Sequence, residues 1–149
     1  MVLKDNRGVT LIEILFVMCI ISIILSMPTL NNKFILNFIE KKEIKELRDD
    51  ICYARNRAII ESKLYSVSII VNSNSYAIYN YDPYRKLIKI KKLNNNLTIK
   101  RTTIKNNEIV FGTLGVPIET GTIYLTNKKG QEIKITVTPV TAKVNIYMD

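Results

Sequence analysis

One stretch constrains this chain more than any other. Positions 9–30, VTLIEILFVMCIISIILSMPTL, form a run of 22 residues with a single charge, Glu13. Coiled as one helix, the run is about 33 Å long and matches a hydrocarbon core of about 30 Å. Lys4 and Arg7 precede it, so the excess of positive charge sets the N-terminus in the cytoplasm and everything after Leu30 outside. A secretory signal peptide would have a shorter apolar region followed by a small-x-small cleavage site. Here the run ends SMPTLNN, and the small residue, Gly8, stands ahead of it. A carboxylate near mid-membrane costs about 2.5–3.5 kcal/mol on insertion scales and ordinarily marks a specific partner. Glu13 lies only five residues into the run, and partial snorkelling is the plain alternative. Pro28 removes one helical hydrogen bond, which fits either a kink near the outer face or the helix exit.

The 149 residues allow one ordinary domain, and the part beyond the apolar run suffices for one modest core. The net charge is +9, from 22 Lys+Arg against 13 Asp+Glu, with no histidine. That balance points to nucleic acid, anionic lipid or an acidic polymer. The abundance of Ile, Asn and Lys gives a blander source, the codon bias of an AT-rich genome. Cys19 and Cys52 stand 33 residues apart. On one helix they would lie about 50 Å from each other, whereas a disulfide needs Cα atoms within about 7 Å, so two unpaired thiols are expected. Phe16, Val17 and Met18 before Cys19 are not the small residues that precede a lipidated cysteine. Without histidine, and without a GxxxxGK[ST] or GxGxxG motif, the common bases, triads, zinc clusters and phosphate loops have no basis. Asp82, Glu108, Glu119 and Glu132 are scattered. No catalytic residue, metal or cofactor is expected, and enzymes are an unfavoured class.

Helical periodicity continues over positions 34–62. Ile44, Leu47, Ile51, Ala54 and Ala58 recur at spacings of three and four and form one apolar stripe. Glu40, Lys41, Lys42, Glu43, Lys45, Glu46, Arg48, Asp49 and Asp50 fill the other faces, with Lys42–Glu46 and Lys45–Asp49 spaced as i,i+4 ion pairs. Beyond Ser62 the period becomes two. Strands are expected at 65–71, 76–80, 87–93, 97–103, 108–111, 122–126, 132–138 and 143–147, rich in Ile, Val, Tyr and Thr. Asn-, Pro- and Gly-containing turns separate them, and Gly130 suits a hairpin needing positive φ.

The block Gly8-Val9-Thr10-Leu11-Ile12-Glu13 resembles the class III signal of type IV pilins and type II secretion pseudopilins. The resemblance implies a leader at 1–8 cut by a prepilin peptidase after Gly8, N-methylation of the new terminus at Val9, and a transmembrane and assembly helix at 9–30. Val9 departs from the commoner Phe at that place. Thr10 and Glu13 would act in assembly, with Glu13 pairing with the N-terminal amine of a neighbouring subunit. An α-amino group of pKa about 7.7–8.0 is largely cationic at neutral pH, and the pairing offsets burial of both charges in a low dielectric. A lone buried polar group also fixes register between helices. Ala54-Arg55, Ala58-Ile59, Phe111, Gly112, Gly115, Gly121-Thr122-Ile123 and Gly130 further resemble the FimT/GspH-like minor pseudopilins. The implied fold is α+β and pilin-like: a long N-terminal helix, membrane half plus amphipathic half, packed on an antiparallel β-sheet or small β-sandwich head, the head covering 31–149 with its helix at about 34–62 and strands over 64–149. Implied partners are other pilins or pseudopilins, the prepilin peptidase, the inner-membrane assembly platform and membrane lipid. The implied location is the cell membrane, single-pass with the head extracytoplasmic, and then a pilus or pseudopilus at the cell surface.

Lys86, Lys89, Lys91, Lys92, Lys100, Arg101 and Lys105 crowd into twenty residues, just after Tyr79, Tyr81 and Tyr84. Several would share a face in alternating strands and form a DNA-binding surface with stacking platforms. Some members of the resembled subfamily contact DNA during competence uptake. The plain alternative is a solvated strand face whose lysines protect a sheet edge. Three functions therefore compete: a minor pilin or pseudopilin, a DNA-capturing minor pilin, and an unrelated single-pass surface-anchored domain.

Overall fold

The structure is a computed structural model and describes residues 10–26, 32–94 and 96–148. The chain divides into two compact units, Met1–Ile35 and Leu36–Asp149. The first contains α1, Leu11–Ser26. Its start is set by Thr10, whose carbonyl accepts the N–H groups of Glu13 at 3.0 Å and Ile14 at 3.3 Å. Side chains from Leu11 to Leu25 are exposed on every side. A helix apolar all round has no face to turn to water, so its burial must come from outside itself. Ser22 satisfies its hydroxyl locally by donating to the Met18 carbonyl at 2.7 Å. Among the described residues no helix is long and apolar enough to cross a membrane. Gly8, Val9 and Pro28 lie outside the described residues.

α2, Asn32–Glu61, runs into the second unit. Eight strands follow: β1 Leu64–Ile70, β2 Ser75–Tyr81, β3 Arg85–Lys92, β4 Leu97–Thr102, β5 Glu108–Phe111, β6 Gly121–Asn127, β7 Glu132–Val137 and β8 Val144–Met148. They build two four-stranded sheets, ordered β3-β2-β1-β5 and β4-β6-β7-β8, and every pairing is antiparallel. The fold class is therefore α+β with antiparallel sheets, as the sequence implies. Each expected strand is present, with ends displaced by no more than two residues.

Alternation decides which way each strand faces. Tyr65, Val67 and Ile69 of β1 pair with Asn80, Ile78 and Tyr76 of β2, and Val67 also faces Ile109 of β5. The second sheet contributes Ile99, Ile123, Leu125, Ile135 and Val137. The helix stripe Ile44, Leu47, Ile51, Ala54 and Ala58 joins the same core, each of its members 2% exposed or less. Burying an aliphatic side chain of this size contributes about 1.5–3 kcal/mol, so the stripe is the main attachment of α2 to the sheets.

Two glycines answer steric demands. Gly130 takes φ +80° in the β6–β7 hairpin, the left-handed conformation expected there. Gly115 takes φ +74°, and a Cβ on it would stand 2.5 Å from Ile59 Cδ1. Only glycine lets the loop after β5 lie this close to α2. Val140, in the β7–β8 turn, has φ +65°, a strained conformation for a β-branched residue.

Candidate assembly helix and basic surface

Glu13 sits in the first turn of α1. It lines one shallow hollow with Ile14, Val17, Met18 and Ile21, of which Val17, one turn on, lies on its own face. The carboxylate is exposed, and no described cation pairs with it. Thr10 precedes the first turn and supplies its backbone acceptor. The arrangement is a bare acid on an apolar rod. It offers a cation from another molecule one strong polar contact in otherwise apolar surroundings.

α2 carries a different pattern. Four of its acids turn toward the sheets. Glu40 is 7% exposed and accepts from the Asn127 amide at 3.3 Å. Glu43 accepts the Asn94 backbone N–H at 3.0 Å. Glu46 accepts from Lys91 and, at 3.3 Å, from Lys89. Asp50 accepts from Lys89 at 2.6 Å and from the Tyr76 hydroxyl at 2.5 Å. The Lys91 hydrogen bond holds the Glu46 carboxyl below its ordinary range against the opposing effect of burial. Lys89 is pulled down by desolvation but raised on balance by its bonds to Asp50 and Glu46. Burial and the Asp50 bond push the Tyr76 hydroxyl far up. The i,i+4 pairs expected within the helix do not form: Glu46 reaches across to β3, and Lys42 and Lys45 have no ion pair among the described residues.

The seven cations of the expected basic strip are divided between two sheets and a turn. Lys86, Lys89, Lys91 and Lys92 belong to β3 at the edge of one sheet, Lys100 and Arg101 to β4 in the other. Lys105 follows in a short 3-10 turn and lies 3.7 Å from Glu119. Lys89 and Lys91 are spent on the acids of α2. Arg101 lies over the Tyr124 ring at 3.8 Å. Lys86, Lys92 and Lys100 remain exposed. Two β-bulges, one in the β2–β3 pairing and one in β4–β6, break the alternation that would have aligned them. Tyr79 is covered by Arg85 at 3.9 Å, while Arg85 also binds Glu108 at 2.9 Å, so this ring is already occupied as a stacking platform.

No set of three or more His, Cys, Asp or Glu residues that could hold a metal occurs among the described residues. Cys19 and Cys52 are both free thiols.

These features have counterparts in known proteins. The model of the prokaryotic N-terminal methylation motif matches residues 3–27. Two solved structures of the minor pseudopilin EpsH from the type II secretion system of Vibrio cholerae share the fold. One has a TM-score of 0.58 at 10% identity, over 72% of this chain and 95% of that one. The other has a TM-score of 0.56 at 13% identity, over 71% and 91%. No curated protein matches the sequence. The N-terminal segment thus carries the prokaryotic N-terminal methylation motif, and the chain has an α+β, pilin-like fold. That fold is similar to the one seen in the EpsH minor pseudopilin.

Proposed function

We propose that the chain is a minor pilin or pseudopilin, built into a type IV pilus or a type II secretion pseudopilus through its N-terminal helix. The observation that carries this is the order of parts. A methylation motif over residues 3–27 contains a lone acid on an apolar helix and is followed by a head with the EpsH fold. In this reading the prepilin peptidase cuts after Gly8 and Val9 becomes the methylated terminus. The run 9–30 anchors the subunit in the membrane with its head outside. Glu13 then takes the amine of a neighbouring subunit, which neutralises both charges away from water. The assembly platform extracts the subunit from lipid into the filament.

The test is mass spectrometry of the native protein combined with Glu13→Gln. A methylated Val9 terminus, and loss of the Gln variant from the filament fraction, are the expected results. An intact leader, or normal incorporation of the variant, overturns the proposal.

A DNA-capturing role is the second reading. It is favoured by the net charge of +9 and by the exposed Lys86, Lys92 and Lys100. The full chain in detergent should bind duplex DNA with a steep salt dependence that Glu at these three positions abolishes. Salt-independent binding, or an unaffected variant, excludes it. Lys89 and Lys91 are unsuitable for such a test, because they are already paired with Asp50 and Glu46 of α2.

A further inference from the structure

α2 sorts its charges by sign. Glu40, Glu43, Glu46 and Asp50, spaced by three, three and four residues, run beside the apolar stripe and close onto the sheets. Lys41, Lys42, Lys45 and Arg48 point to solvent, and no described acid pairs with them. The solvent side of this half of the helix is thus a cationic ridge with Asp49 as its one exposed acid.

The rest of the head has almost nothing to answer such a ridge. Glu61 is held by Tyr65 at 2.6 Å and Arg57 at 2.5 Å, Asp82 by Lys63, and Glu108 by Arg85 and Ser66. Glu119 lies against Lys105 and Glu132 against Lys134. Among the described head acids, Asp49 is the only one without a partner. Filament neighbours meet through different faces, and whichever face of its head a second copy brought to the ridge, it would offer a single free carboxylate. Like charges held opposite each other reject a partner as effectively as complementary charges attract one.

We infer that the ridge Lys41–Lys42–Lys45–Arg48 is a docking face for a different, acidic pilin-like subunit, and that it excludes a second copy of this chain from the neighbouring place. The inference rests on the filament-subunit reading and adds to it the chemistry of the partner. A subunit of this kind enters the assembly beside other subunits and does not polymerise alone. The partner brings a row of carboxylates facing α2, and the contact weakens as salt rises.

The test uses the full chain in its own cells. Two variants carry Glu or Gln at positions 41, 42, 45 and 48; wild type is the control. Leader cleavage and N-terminal methylation are read by mass spectrometry, and incorporation by the amount in the sheared filament fraction. All three proteins should be processed alike. Incorporation should fall about ten-fold or more with Glu and by less with Gln, because reversal adds repulsion where neutralisation only removes attraction. Purified wild-type protein in detergent should show no salt-sensitive self-association by sedimentation. Normal incorporation of the Glu variant overturns the inference, as does wild type that self-associates through this face. A Glu variant that incorporates normally yet loses binding to a DNA duplex reassigns the ridge to nucleic acid. An uncut wild-type chain removes the subunit reading itself, and is recognised by the intact leader in every sample.

Discussion

α1 and α2 follow one another in the chain, yet they solve opposite problems. α1 is apolar on all sides with every described side chain from Leu11 to Leu25 exposed. α2 buries one stripe to 2% exposure or less and gives its acids to the sheets. A helix of the first kind can be completed only by something outside its own unit, whether lipid or other helices. A helix of the second kind is complete once its head has folded. The single charge in α1 has no described partner, whereas the inward acids of α2 all have one. The apolar surface of one helix is covered by assembly and that of the other by folding.

The contrast breaks most readily at the stripe. Ile51→Ala should lower the stability of the head by about 2–5 kcal/mol, from lost transfer energy and the cavity left behind. Ile20→Ala in α1 should leave the head's unfolding transition where it was. Chemical denaturation of the full chain in detergent, followed by the tyrosine signal of the head, compares the two. Equal shifts would show that α1 is part of the folding unit.

Gly115→Ala sharpens the picture of α2 as an internally completed helix. The new Cβ meets Ile59 Cδ1 at 2.5 Å on a backbone with positive φ. Either the Ile59 side chain or the loop must shift, and the left-handed backbone adds strain, at a cost of about 1–3 kcal/mol in all. A melting temperature equal to that of wild type would mean the loop is not held against the helix.

The smallest effect is on pH dependence. Lys91 holds the Glu46 carboxyl below its ordinary range in the folded head. A depressed carboxyl contributes stability above its unfolded pKa, near 4.3. That contribution is lost as pH falls through the lower folded value. Glu46→Gln should therefore lower stability slightly at pH 7, converge with wild type at low pH, and so flatten the acid limb of the stability curve below about pH 5. Glu46 and Lys91 are partly solvated, which keeps the effect small. An unchanged acid limb would show that the pairing adds nothing to the attachment of β3.

Several elements were legible in advance because their signals are local. The stripe at 44, 47, 51, 54 and 58 could be read from spacing alone, and all five residues are buried. Period-two runs between Asn, Gly and Pro turns marked all eight strands. The basic strip is divided between two sheets for an equally physical reason. Consecutive strands β3 and β4 enter different sheets, and bulges shift the phase of both. Periodicity within a strand says nothing about which sheet it joins. The inward acids of α2 did leave a trace: 40, 43, 46 and 50 keep helical spacing beside the apolar stripe. Reading that spacing for charge as well as for hydrophobicity would have separated the acids from Lys41, Lys42, Lys45 and Arg48.

The sequence by itself determined the class of the N-terminal segment, the place of its lone carboxylate, the helix stripe and the strand content. Each of these depends on residues within a few positions of one another, where covalent geometry and hydropathy suffice. The tertiary structure alone decided which cations are neutralised and which remain free. That outcome depends on contacts between residues some forty positions apart, such as Glu46 with Lys91. Only the packing of α2 against the sheets brings those charges within bonding distance.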